Sequence, residues 1–190
     1  MTAGPRRRWA VPSRLHPALR FLARASLASA ALVVCGAVAF ELAGARLNYT
    51  SSLPRGLYLA SEFDPSQARR GDLVEACPTP EGAEAVAAYL PPGRCPGGVL
   101  PLGKRLAAVP GDVVVLDSAG LTVDGVRLDR TAPLFRHPSG APLFPWLGRH
   151  VLGPGEFWLL SDRVPTSIDS RYVGPVTDVR GRLRPLWVSD

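Results

Sequence analysis

Three hydroxyl residues in a row, Thr50, Ser51 and Ser52, stand directly before a Leu-Pro-Arg-Gly turn in "NYTSSLPRGLY", residues 48–58. Ser and Thr before Pro and Gly are ordinary turn chemistry. The same side chains become nucleophiles when a neighbouring base takes their proton. Bases are scarce in this chain. His16 precedes a long apolar segment, and His137 and His150 sit in or beside a proline-rich stretch, where a solvated loop role is expected. There is a single lysine, Lys104 in "PLGKRLAAVPGDVV", against 21 arginines among the 22 basic residues. A guanidinium keeps its proton in a protein, whereas a buried ammonium can lose it, so a base site can use Lys and not Arg. The apolar neighbours on both sides of Lys104 predict burial. Further on, "TSIDSRYVGPV" at 166–176 sets Ser167, Asp169 and Arg171 at alternate positions. They share a face if the segment runs as a strand edge, and a salt-bridged turn is the competing reading.

The elements that must hold these residues are legible from charge and texture. Arg6, Arg7, Arg8, Arg14, Arg20 and Arg24 precede any acidic residue. Setting those six aside from the 22 cations leaves 16 against 16 anions, so the +6 net charge belongs to the N-terminal segment and the body is neutral. A folded domain that binds nucleic acid would carry a basic stripe with aromatics, and none is visible, so nucleic acid is not an expected partner. After Arg24 run sixteen uncharged residues, "ASLASAALVVCGAVAF". They read either as a short transmembrane anchor or as a signal peptide, with "AVA" at 37–39 as its cleavage site. Basic residues ahead of the segment orient the body outward across the membrane in both cases. The expected division is a basic cytoplasmic segment at 1–24, an anchor or signal segment at 25–45 and an exported domain at 46–190.

Beyond residue 46, short apolar runs such as "GDLVEA", "GDVVVLD", "LTVDGVRL" and "GEFWLLSD" are punctuated by Gly, Pro and Asp, which predicts a mainly β body. Asp-Gly between valines at 123–126 predicts a tight hairpin. Two insertions interrupt the strands. The first, flanked by Cys77 and Cys95, holds the best helix candidate, 80–90; a disulfide between these cysteines is open in an oxidising compartment. The second, roughly 130–150, is too rich in proline for a regular helix or central strand. Cys35 in the apolar segment reads as a small hydrophobe. No constellation of metal-ligand spacing is visible, so no metal, no cofactor and no sensitivity to chelators are expected.

Taken together, these motifs resemble the type I signal peptidase family of Ser-Lys membrane proteases, and in particular its conjugative-transfer, TraF-type branch. "NYTSSLPRGLY" resembles that branch's nucleophile box, "GKRLAAVPGDVV" its lysine box, "GEFWLLSDRVPTSIDSRYVGPV" its C-terminal box and "GRLRPLW" its last strand. The resemblance implies a signal-peptidase-like β-sheet body with two insertions behind one N-terminal apolar helix. It makes Ser52 the nucleophile, Lys104 the general base and Asp169 part of the catalytic group. Arg171 has a supporting role, Ser167 orients the lysine, and the Thr50 hydroxyl joins the Ser52 N–H in an oxyanion hole. Ser51 stays open as a rival, because general signal peptidases place the serine three residues before Pro. The chain departs from those enzymes in reading "SDR" at 161–163 where they have Gly-Asp-Asn. The implied activity is a serine endopeptidase held in the inner membrane by a single pass, with its catalytic domain on the periplasmic side. Its implied partners are the membrane and a protein precursor with a signal or leader peptide, such as a conjugative pilin. A general housekeeping signal peptidase and a non-catalytic anchored β-domain that binds a secretion partner are the alternatives. Hydrolysis and peptide cyclisation both remain open.

Overall fold

The computed structural model describes residues 17–189; Arg6, Arg7, Arg8, Arg14 and His16 of the basic segment lie outside the described residues. The described chain opens with helix α1 (Pro17–Leu42). The helix takes in Arg20 and Arg24. Its 26 residues span about 39 Å and bury none of their surface in the protein. It is long and apolar enough to cross a membrane, and Cys35 lies exposed along it. The chain divides between Ala43 and Gly44 into this unit and the β body.

In the body, β1 (Ala45–Asn48), β2 (Arg55–Ser61) and β3 (Leu73–Cys77) lead into α2 (Pro80–Val86), which a short 3-10 turn extends to Tyr89. Then come β4 (Leu102–Ala108), β5 (Val113–Asp117), β6 (Gly120–Val123), β7 (Val126–Arg127), β8 (Gly148–Val151) and β9 (Trp158–Leu160), followed by α3 (Ser170–Val173) and β10 (Asp178–Ser189). Every strand pair is antiparallel. One sheet has the order β1-β2-β10-β3-β4-β9 and a smaller one the order β7-β6-β5-β8, so the body is mainly β as its texture predicts. The Asp124-Gly125 turn joins Val123 to Val126 with both turn residues at positive φ, 48° and 81°, which matches the right-handed twist of a two-residue hairpin.

Alternation along β4 buries Leu102, Lys104, Leu106 and Ala108 and turns Gly103, Arg105 and Ala107 away. Leu102 and Leu106 join Val74, Phe157, Leu159, Ile168 and Tyr172 in the larger core, and the lysine stands between them on the same face. The first insertion is tied to this core at its base by a Cys77–Cys95 disulfide with the Cα atoms 5.4 Å apart. Within it the helix expected over 80–90 forms as α2, capped by Thr79, whose Oγ1 accepts from the Gly82 N–H. The second insertion is irregular until residue 148, where its end becomes β8, an edge strand of the smaller sheet. His150 therefore lies on a strand and bonds Glu156 at 2.8 Å instead of sitting in a solvated loop.

Candidate active site

The hydroxyl cluster occupies the turn between β1 and β2, and Asn48 closes that turn. Its Nδ2 donates to the carbonyls of Thr50, Leu53 and Pro54 at 3.0–3.1 Å, while its Oδ1 accepts from the Thr50 N–H and hydroxyl. Tyr58 OH donates to the same Pro54 carbonyl at 2.7 Å, and buried Leu53 packs with Tyr58 and Leu183. A turn held at so many points fixes the Ser52 backbone. Ser51 faces solvent, and Ser52 faces inward.

Lys104 reaches that inward serine: its Nζ lies 2.5 Å from Ser52 Oγ. The lysine donates this hydrogen bond when charged and accepts it when neutral. Only 5 % of Lys104 is exposed. Burial pushes its pKa down to about 8, with Asp169 pulling it up and Arg171 pressing it further down. An ammonium with that pKa is neutral in roughly a tenth of molecules at pH 7, against a few in ten thousand for an ordinary lysine. The pair is therefore chemically able to generate an alkoxide-like serine near neutral pH.

The segment 161–173 packs behind this pair, and of the two readings open to it, a strand edge and a salt-bridged turn, it takes the salt-bridged turn. Asp169 caps α3: its Oδ1 accepts from the Arg171 N–H, and that turn carries Ser170–Val173 into a helix instead of an extended edge. Asp169 and Arg171 are fully buried and meet through two hydrogen bonds of 2.8 Å. Burial opposes the Arg171 charge, and the Asp169 carboxylate more than offsets it, keeping the guanidinium protonated. Arg171 also donates to the Ser167 and Ala132 carbonyls at 3.3 and 3.4 Å. Asp169 thus acts on the lysine through charge, with its hydrogen bonds directed to Arg171 and the backbone. Ser167, expected to orient the lysine, has its hydroxyl 3.3 Å from Ser52 Oγ, and its carbonyl accepts from Arg171. Thr50 is at the cleft, and its hydroxyl donates to Asn48 at 2.7 Å.

One residue of the site escaped the sequence reading. Ser161, 2 % exposed, donates its hydroxyl to the Ser52 carbonyl at 2.8 Å, and its N–H donates to Asp169 at 3.1 Å. It thereby joins the Ser52 peptide unit to the buried ion pair. Its signal in the sequence is the departure at "SDR", where a side chain replaces glycine.

Two clefts meet at Ser51, Ser52 and Val164. One, about 280 Å³, is walled by Tyr49, Leu90, Pro101, Leu102 and Ile168 and has Lys104 in its floor; His137, expected to be a solvated loop residue, joins its wall with its ring against Tyr89. The other, about 500 Å³, is polar. Among the described residues, no three His, Cys, Asp or Glu side chains gather in a way that would hold a metal ion.

The sequence profile of signal peptidase, peptidase S26, matches residues 19–187. A plasmid transfer protein TraF from Escherichia coli is 39 % identical over 151 residues, covering 77 % of this chain and 82 % of that protein. A conjugal transfer protein TraF from Agrobacterium fabrum is 35 % identical over 171 residues, covering 86 % and 94 %. Among solved structures, a signal peptidase I from Enterococcus faecalis overlays with a TM-score of 0.36 and 22 % identity, covering 62 % of this chain and 97 % of that one, too distant to carry weight. The profile runs from α1 to the end of the sheet and the relatives share most of their length, so the chain belongs to the signal peptidase family, peptidase S26, in its TraF branch.

Proposed function

We propose that the protein is a membrane-anchored serine endopeptidase that removes a signal or leader peptide from an exported precursor, with a conjugative pilin as its substrate. The observation that carries this reading is a buried lysine 2.5 Å from a turn serine, with its pKa lowered to about 8. Neutral Lys104 takes the Ser52 proton as Oγ attacks the scissile carbonyl. The tetrahedral intermediate collapses to an acyl-enzyme, and Lys104 returns the proton to the leaving amine. A water deprotonated by Lys104 then hydrolyses the ester; attack by the substrate's own amino terminus would close a ring instead. The Ser52 N–H serves as oxyanion donor, and the Thr50 hydroxyl joins it after rotating away from Asn48. The α1 helix crosses the inner membrane once, with the arginine-rich segment in the cytoplasm and the β body in the periplasm. The TraF relatives' plasmid and conjugal transfer names support a pilin precursor over general secretory cargo.

The test uses the full chain in detergent with a pilin-like precursor, followed by mass spectrometry. Native protein and Ser51→Ala should cut, whereas Ser52→Ala and Lys104→Arg should lose about 10²–10⁴-fold in rate. Product masses separate hydrolysis from cyclisation. Full activity in Lys104→Arg would end the lysine-base mechanism.

A further inference from the structure

The larger cleft beside Ser52 has an electrostatic character that peptide hydrolysis does not require. Arg105, Arg130 and Arg163 line it, with Asp162 as its one acidic side chain. Arg46, Arg70, Arg127, Arg171, Arg180 and Arg182 are among the arginines of the body that carry ion pairs. Among the described residues, neither Arg105 nor Arg130 does. Arg105 uses one of its five N–H donors on the Gly71 carbonyl at 2.8 Å, and Arg130 one on the Arg163 carbonyl at 3.3 Å. Both retain donors for a ligand. Arg130 is also held at a φ of 59°, the left-handed region where glycine or asparagine is the usual occupant. A long cationic side chain at such a position is uncommon, and this one stands over the cleft. Arg105 is placed by the fold itself: it follows Lys104 on β4, and the alternation that buries the lysine turns Arg105 to the opposite face.

We infer that this cleft is a charge-reading subsite that takes a carboxylate of the substrate, an Asp or Glu side chain or a chain-terminal carboxylate, within about four residues of the scissile bond. The inference rests on Ser52 being the nucleophile. A peptide drawn across Ser52 has small and apolar side chains on one side, in the cleft floored by Lys104, and its anionic group on the other, in the arginine cleft. Guanidinium forks match carboxylates bidentately, and 500 Å³ is within the range of ordinary ligand pockets. With Asp162 in its wall the cleft excludes a cationic residue less strongly than a purely basic one would, so the discrimination falls mainly between Glu and its neutral isostere.

The experiment separates binding from cutting. Fluorescent peptides built on Ala and Ser, capped at both ends, carry Glu, Gln or Lys at each position in turn. Their anisotropy is measured with full-length Ser52→Ala in detergent, and their cleavage with the native chain. Glu should improve binding about tenfold over Gln at one or two adjacent positions on a single side of the bond, and Lys should bind no better than Gln. Arg105→Gln and Arg130→Gln, both exposed and so tolerant of substitution, should each reduce that preference, and Arg130→Glu should transfer it to Lys peptides. Uncapping the C-terminus tests the chain-terminal carboxylate in the same assay. Equal binding of Glu and Gln peptides at every position, with no gain from the free terminus, overturns the subsite, as does a preference unmoved by the arginine changes. Charge-selective binding without any cutting by the native chain would count against the protease reading and leave the subsite standing.

Discussion

At the scale of single residues, the site turns on one buried amine. Because the folded-state pKa of Lys104 is about 8 against an ordinary lysine value of 10.5, the unfolded chain binds the extra proton between those limits. Stability therefore rises with pH from about 8 to 10.5 and is lowest, for this group, below 8. Activity should rise through a midpoint near 8 and level off above it, which a rate–pH profile on one peptide will show. Lys104→Met should be inactive yet melt higher at pH 7, because it removes a buried charge worth about 3 kcal/mol against folding. Ser161 gives a different signature. Loss of its hydroxyl frees the Ser52 carbonyl without touching a charge, so Ser161→Ala should lower kcat about tenfold, with KM and the pH midpoint unchanged. A displaced midpoint would make Ser161 part of the electrostatics instead of a positioning residue. Ser52 and Lys104 were legible in the sequence because their chemistry is scarce: one lysine, and one hydroxyl cluster before a turn. Ser161 was not, since a lone serine shows nothing of its role until the fold brings its hydroxyl to a carbonyl 109 residues away.

Among the elements, the strands were readable from their apolar runs, and the Asp-Gly hairpin from its two residues. For the segment 166–176 the sequence left a strand edge and a salt-bridged turn both open, because alternation of polar residues mimics a strand. What decided between them was the Asp169 side chain, whose bond to the Arg171 N–H starts a helical turn, and the depth at which that turn lies. The nucleophile turn depends on a second local constraint. Gly56 has a φ of 144°, and a Cβ there would stand 2.1 Å from the Trp187 carbonyl oxygen on β10. Neither backbone can retreat without breaking the β2–β10 ladder, in which Gly56 pairs with Val188. Gly56→Ala should cost about 3 kcal/mol or more, read as a fall in the urea midpoint, and should impair cutting even where the protein remains folded.

On the scale of the whole molecule, helix and body form separate compact units divided at Gly44. The body has its own cores, its own disulfide and a balanced charge. A chain beginning at Gly44 should therefore give a β circular-dichroism spectrum, that of the full protein less the helical contribution of α1, and melt within a few degrees of it; a body that fails to melt cooperatively would show that α1 is needed for folding. The neutrality of the body and the basic N-terminal segment were plain from the sequence, whereas the order of strands was not, because pairing partners far apart in the chain leave no local trace. That order has a consequence in time. The β1–β2 hairpin carries the serine and β4 the lysine, and within the sheet β10 and β3 stand between them. Since β10 follows both in the chain, a chain on the ribosome holds the serine and the lysine before it holds the strand that joins their two parts of the sheet. The contact between Ser52 and Lys104 is therefore a late one, made only once β10 has closed its ladders with β2 and β3.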